Sequence, residues 1–259
     1  MSGLILIFAF CLGGCFGSFA NAAAMRLVRD EDFIYQSSRC RTCDRPLYFL
    51  ENLPFIGWLR HRGFCHCGKI ELPYRYVLIE LGFGILVLIY ALTLPVLAAI
   101  GFSVAAIFIV ISMLTDAEVM ILHPLLLSFL ALIGLAFSKI GSGFFGEFSS
   151  PLLAWHLSPI DVLIGCIVGA GTPLTINLLY RLIRGRNGFG EGDFWMLGAI
   201  GAWAGWQGAL AILVLAAASA AFAGLFMILT NKASILTRLP FGFFLGGVFI
   251  LWSIFFNIL

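Results

Sequence analysis

Charge is what this chain has least of. Asp, Glu, Lys and Arg together make up 11% of its 259 residues, against about 25% in a soluble domain. That scarcity excludes an ordinary water-soluble globule. No Gly-rich nucleotide loop follows a strand anywhere in the chain, and nucleic acid is not an expected partner. No convincing internal repeat is present either, which argues against a transporter assembled from duplicated halves. The net charge of +2 excludes nothing by itself.

What fills the chain instead is apolar: 61% of residues are hydrophobic. Apolar runs recur at the length of a bilayer crossing, about 20 residues. The fold class is therefore an all-α polytopic membrane protein. Spans are expected near 3–25, 75–94, 96–115, 119–138, 159–180, 193–205, 207–230 and 240–258, about eight transmembrane helices. A single helix over 194–230 would rise about 55 Å, far more than a bilayer core of about 30 Å, so the glycines near 201 and 205 mark a hairpin. The first run reads as a retained span. Small residues in "FCLGGCFGSFANAA" leave a cleaved signal as the alternative. Three regions follow: a first transmembrane helix over 1–25, a small cysteine-rich cytoplasmic domain over 26–75, and a membrane core over 76–259.

The few charges orient these spans. With the N-terminus outside, the inner loops are 26–75, 115–119, 181–193 and 230–240. They hold 14 of the 15 Lys and Arg residues, leaving only Lys139 outside. Basic residues gather on the cytoplasmic side of membrane proteins, so both termini are expected to be periplasmic. Asp116 and Asp193, 77 positions apart, then return to one depth at the cytoplasmic face.

Seven cysteines are present. Cys11, Cys15 and Cys166 lie in spans and read as small packing residues. Cys40, Cys43, Cys65 and Cys67 form two close pairs in the 26–75 loop, with 21 residues between them. Two such pairs suit a structural zinc, and a reducing compartment disfavours disulfides. The second pair, Cys-His-Cys, has a tight spacer, so His66 or His61 is an alternative fourth ligand. Two disulfides or four free thiols are the bland alternatives.

Ionised carboxylates are costly inside a bilayer, which makes intramembrane acids functional candidates. Asp116 follows an apolar span, and Asp193 closes Gly-x-Gly-Asp in "GFGEGDFWML". Two aspartates brought together can divide the work of a general base and a general acid on a water, the logic of an aspartic protease. The competing reading makes Asp193 a helix-capping residue and Asp116 a loop residue beside Glu118. Glu80, inside span two, is read as a partner for a loop arginine or as a direct participant. Asp161 reads as a first-turn acid, Glu191 as a solvated loop acid and His123 as a packing residue.

In order along the chain stand "GCFGSFANAAAMRL", the paired-cysteine loop with "NLPFIGWLRHRGFC", "GKIELPYRYVLIEL", Asp116, "GFGEGDFWMLGAIGAWAGW" and "RLPFGFFLGG". This ordered set resembles the bacterial type IV prepilin peptidases, membrane aspartic proteases of the inner membrane, over nearly the whole chain. The resemblance implies removal of the leader peptide of prepilins or pseudopilins, the latter serving type II secretion, at the cytoplasmic face. It also implies N-methylation of the new terminus from S-adenosylmethionine. The family's catalytic aspartates map onto Asp116 and Asp193, and its zinc cysteines onto Cys40, Cys43, Cys65 and Cys67. The chain departs from the family pattern in three places. Glu118 stands for the second acid after Asp116, with His123 interrupting the Leu-Pro step that follows. Trp195 stands where a lysine is frequent, and the second cysteine pair is one residue short. The competing functions are a membrane aspartic protease with another client, a transporter using intramembrane acids, and a non-catalytic relative.

Overall fold

A computed structural model describes residues 3–31, 45, 53–61, 74–144, 158–231 and 237–258. Every regular element among them is helical: α1 (Gly3–Leu27), α2 (Ile56–His61), α3 (Arg75–Thr93), α4 (Val96–Val119), α5 (Pro124–Phe144), α6 (Pro159–Arg184), α7 (Glu191–Leu229) and α8 (Phe241–Ile258). Five of these, α1, α3, α4, α6 and α7, are long and apolar enough to cross a membrane, and 124–138 and 241–255 are shorter apolar helices. The chain is a polytopic helical membrane protein. It divides into two compact units, Met1–Ile111 and Ser112–Leu259, with the division falling inside α4.

In the first unit α1 lies against α3 through glycine. A Cβ at Gly13 would sit 2.5 Å from the Phe83 carbonyl oxygen, and one at Gly17 would sit 2.9 Å from that of Ile79. Lipid tails are as apolar as leucine, so helices in a bilayer gain by close backbone approach. Phe55, at φ 63°, precedes α2. Its ring fills the space over Gly14 and stacks on Phe10 at 5.4 Å.

Its backbone N–H donates to Glu80 Oε2 at 2.9 Å, and Ser18 bonds the same carboxylate. Glu80 therefore ties the segment before α2 to α1 and α3. Cys11 and Cys15 are exposed on this unit, which corrects their reading as packed residues: they sit on the outward side of α1, away from the glycine seam.

The second unit is organised around α7. A Cβ on Gly165 would collide with the backbone of Gly201, and one on Gly169 with the Leu197 carbonyl. These pairs fix an antiparallel register between α6 and α7. Trp203 of α7 donates Nε1–H to the Leu130 carbonyl of α5 at 3.0 Å, which satisfies the indole inside an apolar unit. Helicity breaks at Gly205, whose φ of 67° and ψ of 177° belong to a region open essentially to glycine alone. The 39-residue stretch is thus two helical limbs joined where glycine was expected to interrupt it.

Helix ends shift from the sequence expectation around Asp116. α4 runs on to Val119, Met120 takes a left-handed conformation (φ 55°), and α5 restarts at Pro124, since proline suits a first helical position. Asp116 is accordingly in the last turn of α4 and not in a loop.

Candidate active site

Asp116 and Asp193 both belong to the second unit, and both are buried. Asp116 reaches out of the last turn of α4. Its Oδ2 accepts the backbone N–H of Phe243 at 3.1 Å, and the N–H of Gly242 also donates to this carboxylate. Both amides lie in the first turn of α8, where helical N–H groups have no partner of their own. The residues leading into α8, Arg238-Leu239-Pro240, include no Ser, Thr, Asp or Asn to cap it. The cap comes from α4 instead.

Asp193 sits in the first turn of α7 and turns back on it, its Oδ2 accepting the N–H of Gly190 at 3.0 Å. Glycine has no side chain to reciprocate, so only half of a capping box forms. The capping expectation for Asp193 is met in this form: it is the third helical residue, not the N-cap. Each carboxylate thus lies at the positive end of a helix dipole, which favours negative charge.

Leu122 lies between the two helix starts. A Cβ on Gly192 would be 2.5 Å from Leu122 Cβ, and a Cβ on Gly242 would be 2.9 Å from Leu122 Cδ1 and 3.0 Å from Asp116 Oδ2. The residue before Asp193 and the residue whose amide bonds Asp116 therefore both touch one leucine. The two carboxylates are close enough for the charge of Asp116 to act on Asp193. Two acids in electrostatic reach, each anchored by backbone amides, are equipped to activate a water and protonate a leaving group.

The other candidate acids have different settings. Asp161 forms a reciprocal capping box with Ser158 at the start of α6, the first-turn acid expected. Glu118 and Glu191 are exposed and His123 is half-buried. Cys40, Cys43, Cys65 and Cys67, and with them the expected zinc domain, lie outside the described residues. No metal-binding cluster occurs among the described ones. Sequence reasoning assigned no role to Leu122, to the Gly242 and Phe243 amides, or to Asn177. Only Asn177 carried a signal, as a lone amide in an apolar helix.

Residues 103–229 match the type IV leader peptidase family, a range that contains both aspartates. Residues 11–94 match the bacterial peptidase A24 N-terminal domain. Among curated proteins, the chain is similar to prepilin leader peptidase/N-methyltransferases. The protein from Stutzerimonas stutzeri is 33% identical over 222 residues, covering 83% of this chain and 72% of that one. The protein from Aeromonas hydrophila is 32% identical, covering 83% and 71%. The protein from Klebsiella pneumoniae is 29% identical, covering 82% and 91%. No solved structure matches the chain.

Proposed function

This chain belongs to the type IV leader peptidase family, and from that premise we propose that Asp116 and Asp193 are the catalytic pair of an aspartic endopeptidase. The enzyme is a multi-pass inner-membrane protease that removes the leader peptide of prepilins. The observation that carries the role of the two acids is their convergence around Leu122 from the end of α4 and the start of α7. One carboxylate takes a proton from water, whose oxygen attacks the scissile carbonyl. The other supplies a proton to the carbonyl oxygen, and the leaving amine is protonated as the C–N bond breaks.

Orientation supports the substrate. With both termini periplasmic, the basic residues and the two aspartates lie on the cytoplasmic side. A prepilin, whose leader precedes a hydrophobic helix, presents its cut site at that surface. Type IV prepilins and type II secretion pseudopilins both have this form. The four cysteines of the 26–75 loop are soft thiolate donors of the kind that holds a structural zinc, which would staple a segment too short to build much of a core. Cleavage exposes a free amine, the group that N-methylation from S-adenosylmethionine requires; that second step is proposed from the names of the relatives.

The test incubates purified protein with synthetic prepilins, with and without S-adenosylmethionine, and weighs the products. Loss of the leader in either condition is expected, with an added methyl only when the donor is present. Intact substrate with folded enzyme refutes the protease, and undiminished cleavage by Asp116→Asn or Asp193→Asn refutes the assigned pair.

A further inference from the structure

Asn177 is 9% exposed on α6, while its neighbours Ile176, Leu178 and Leu179 face outward. A buried amide in an apolar helix is costly unless it is hydrogen-bonded. Asn177 Oδ1 accepts two backbone N–H groups, from Gly188 at 2.7 Å and from Phe189 at 3.2 Å. Both donors belong to the connection between α6 and α7. The α6–α7 register set by Gly165 with Gly201 and Gly169 with Leu197 continues to bring Asn177 opposite Phe189.

That connection, "GRNGFG" over 185–190, contains three glycines and so has little stiffness of its own. Its last residue, Gly190, donates the N–H that holds Asp193. The Phe189 ring meets the Phe241 ring edge-on at 5.4 Å, and Phe241 opens α8, whose next two amides hold Asp116. One side chain thus grips a pliant loop bonded at one end to Asp193 and packed through its aromatic ring on the helix that anchors Asp116.

We propose that Asn177 is a positioning residue that sets the separation of the Asp116 and Asp193 carboxylates by clamping Gly188 and Phe189. This rests on the reading of the two aspartates as the catalytic pair. Asn177 touches neither carboxylate nor substrate; it acts through the loop.

The test compares Asn177→Leu, which removes the acceptor at similar volume, with Asn177→Asp, which keeps it. Misplacing a catalytic group by about 1 Å costs on the order of 100-fold, so Asn177→Leu should lower kcat for prepilin cleavage by about 10- to 100-fold. A loss confined to the chemical step leaves KM within about twofold. Asn177→Asp should retain kcat within about threefold, because it still accepts both N–H groups. In the unaltered protein, the Gly188 and Phe189 amides should exchange with deuterium more slowly than those of Arg186 and Asn187. Unchanged kcat in Asn177→Leu, a rise in KM alone, equal losses in both variants, or equally fast exchange at all four amides overturns the proposal. Should Asn177→Leu not fold, Asn177→Asp and the exchange rates decide. Cleavage surviving in Asp116→Asn and Asp193→Asn is a different result: it removes the catalytic reading on which the clamp depends.

Discussion

The carboxylate of Asp116 accepts the backbone N–H of Phe243, 127 positions further along the chain, at 3.1 Å. One acid therefore does two jobs. It is one of the two acids proposed to act on water, and it caps a helix whose three lead-in residues offer no cap. Asp193 repeats the arrangement locally through Gly190. Pinning each carboxylate to backbone amides restricts its rotamers, and a restricted group needs less reorganisation when it moves a proton.

Asparagine keeps a capping oxygen but cannot exchange a proton. Asp116→Asn and Asp193→Asn should therefore fold and lose about 10²- to 10⁴-fold in cleavage rate. Asp116→Leu should in addition lose the α8 cap, lowering stability by about 1–2 kcal/mol. Cleavage assays and thermal unfolding of each variant separate the two effects, and an Asp116→Leu protein as stable as Asp116→Asn contradicts the capping role.

Leu122 makes a discriminating pair of tests. Gly192→Ala places a methyl 2.5 Å from Leu122 Cβ, and Gly242→Ala places one 2.9 Å from Leu122 Cδ1 and 3.0 Å from Asp116 Oδ2. Overpacking of this kind costs about 1–3 kcal/mol, and both variants should cleave more slowly. Leu122→Ala removes Cγ and both Cδ atoms but keeps Cβ, so it should recover little of the stability lost in Gly192→Ala, whose closest contact is that Cβ. It should recover more in Gly242→Ala, where the 2.9 Å Cδ1 contact disappears and only the carboxylate of Asp116 remains in the way. Equal rescue of the two, read by thermal unfolding, contradicts this geometry.

Glu80 holds Phe55 and Ser18 in the first unit. Glu80→Leu should leave those donors unpartnered and cost about 1–3 kcal/mol for each one buried. Glu80→Gln keeps a carbonyl oxygen for one of them and should cost less. The order of unfolding temperatures, parent above Gln above Leu, is the expected outcome.

Metal analysis tests the cysteine pairs. The purified protein should carry one zinc, and Cys40→Ser, Cys43→Ser, Cys65→Ser and Cys67→Ser should each reduce its occupancy. Full zinc content in all four variants places the metal elsewhere.

Much of this protein was legible along the chain. Hydropathy gave the long apolar segments, because crossing a bilayer demands about 20 apolar residues in a row, a property each segment carries alone. The same reasoning divided 194–230 near Gly205 and located Asp116 and Asp193 at span ends. Cys11 and Cys15 were misread because apolar character does not say whether a side chain faces a neighbouring helix or the surroundings.

The sequence by itself determined the helical membrane class and the family, and it singled out Asp116 and Asp193 as the candidate acids, since those follow from residue type and order. Only the tertiary structure decided what holds the acids: the amides of Gly242 and Phe243, the leucine between the helix starts, and the Asn177 grip on Gly188 and Phe189. The physical reason is that the donors are backbone N–H groups, which every residue but proline carries. Nothing in the order of side chains marks the few that packing will leave beside a carboxylate.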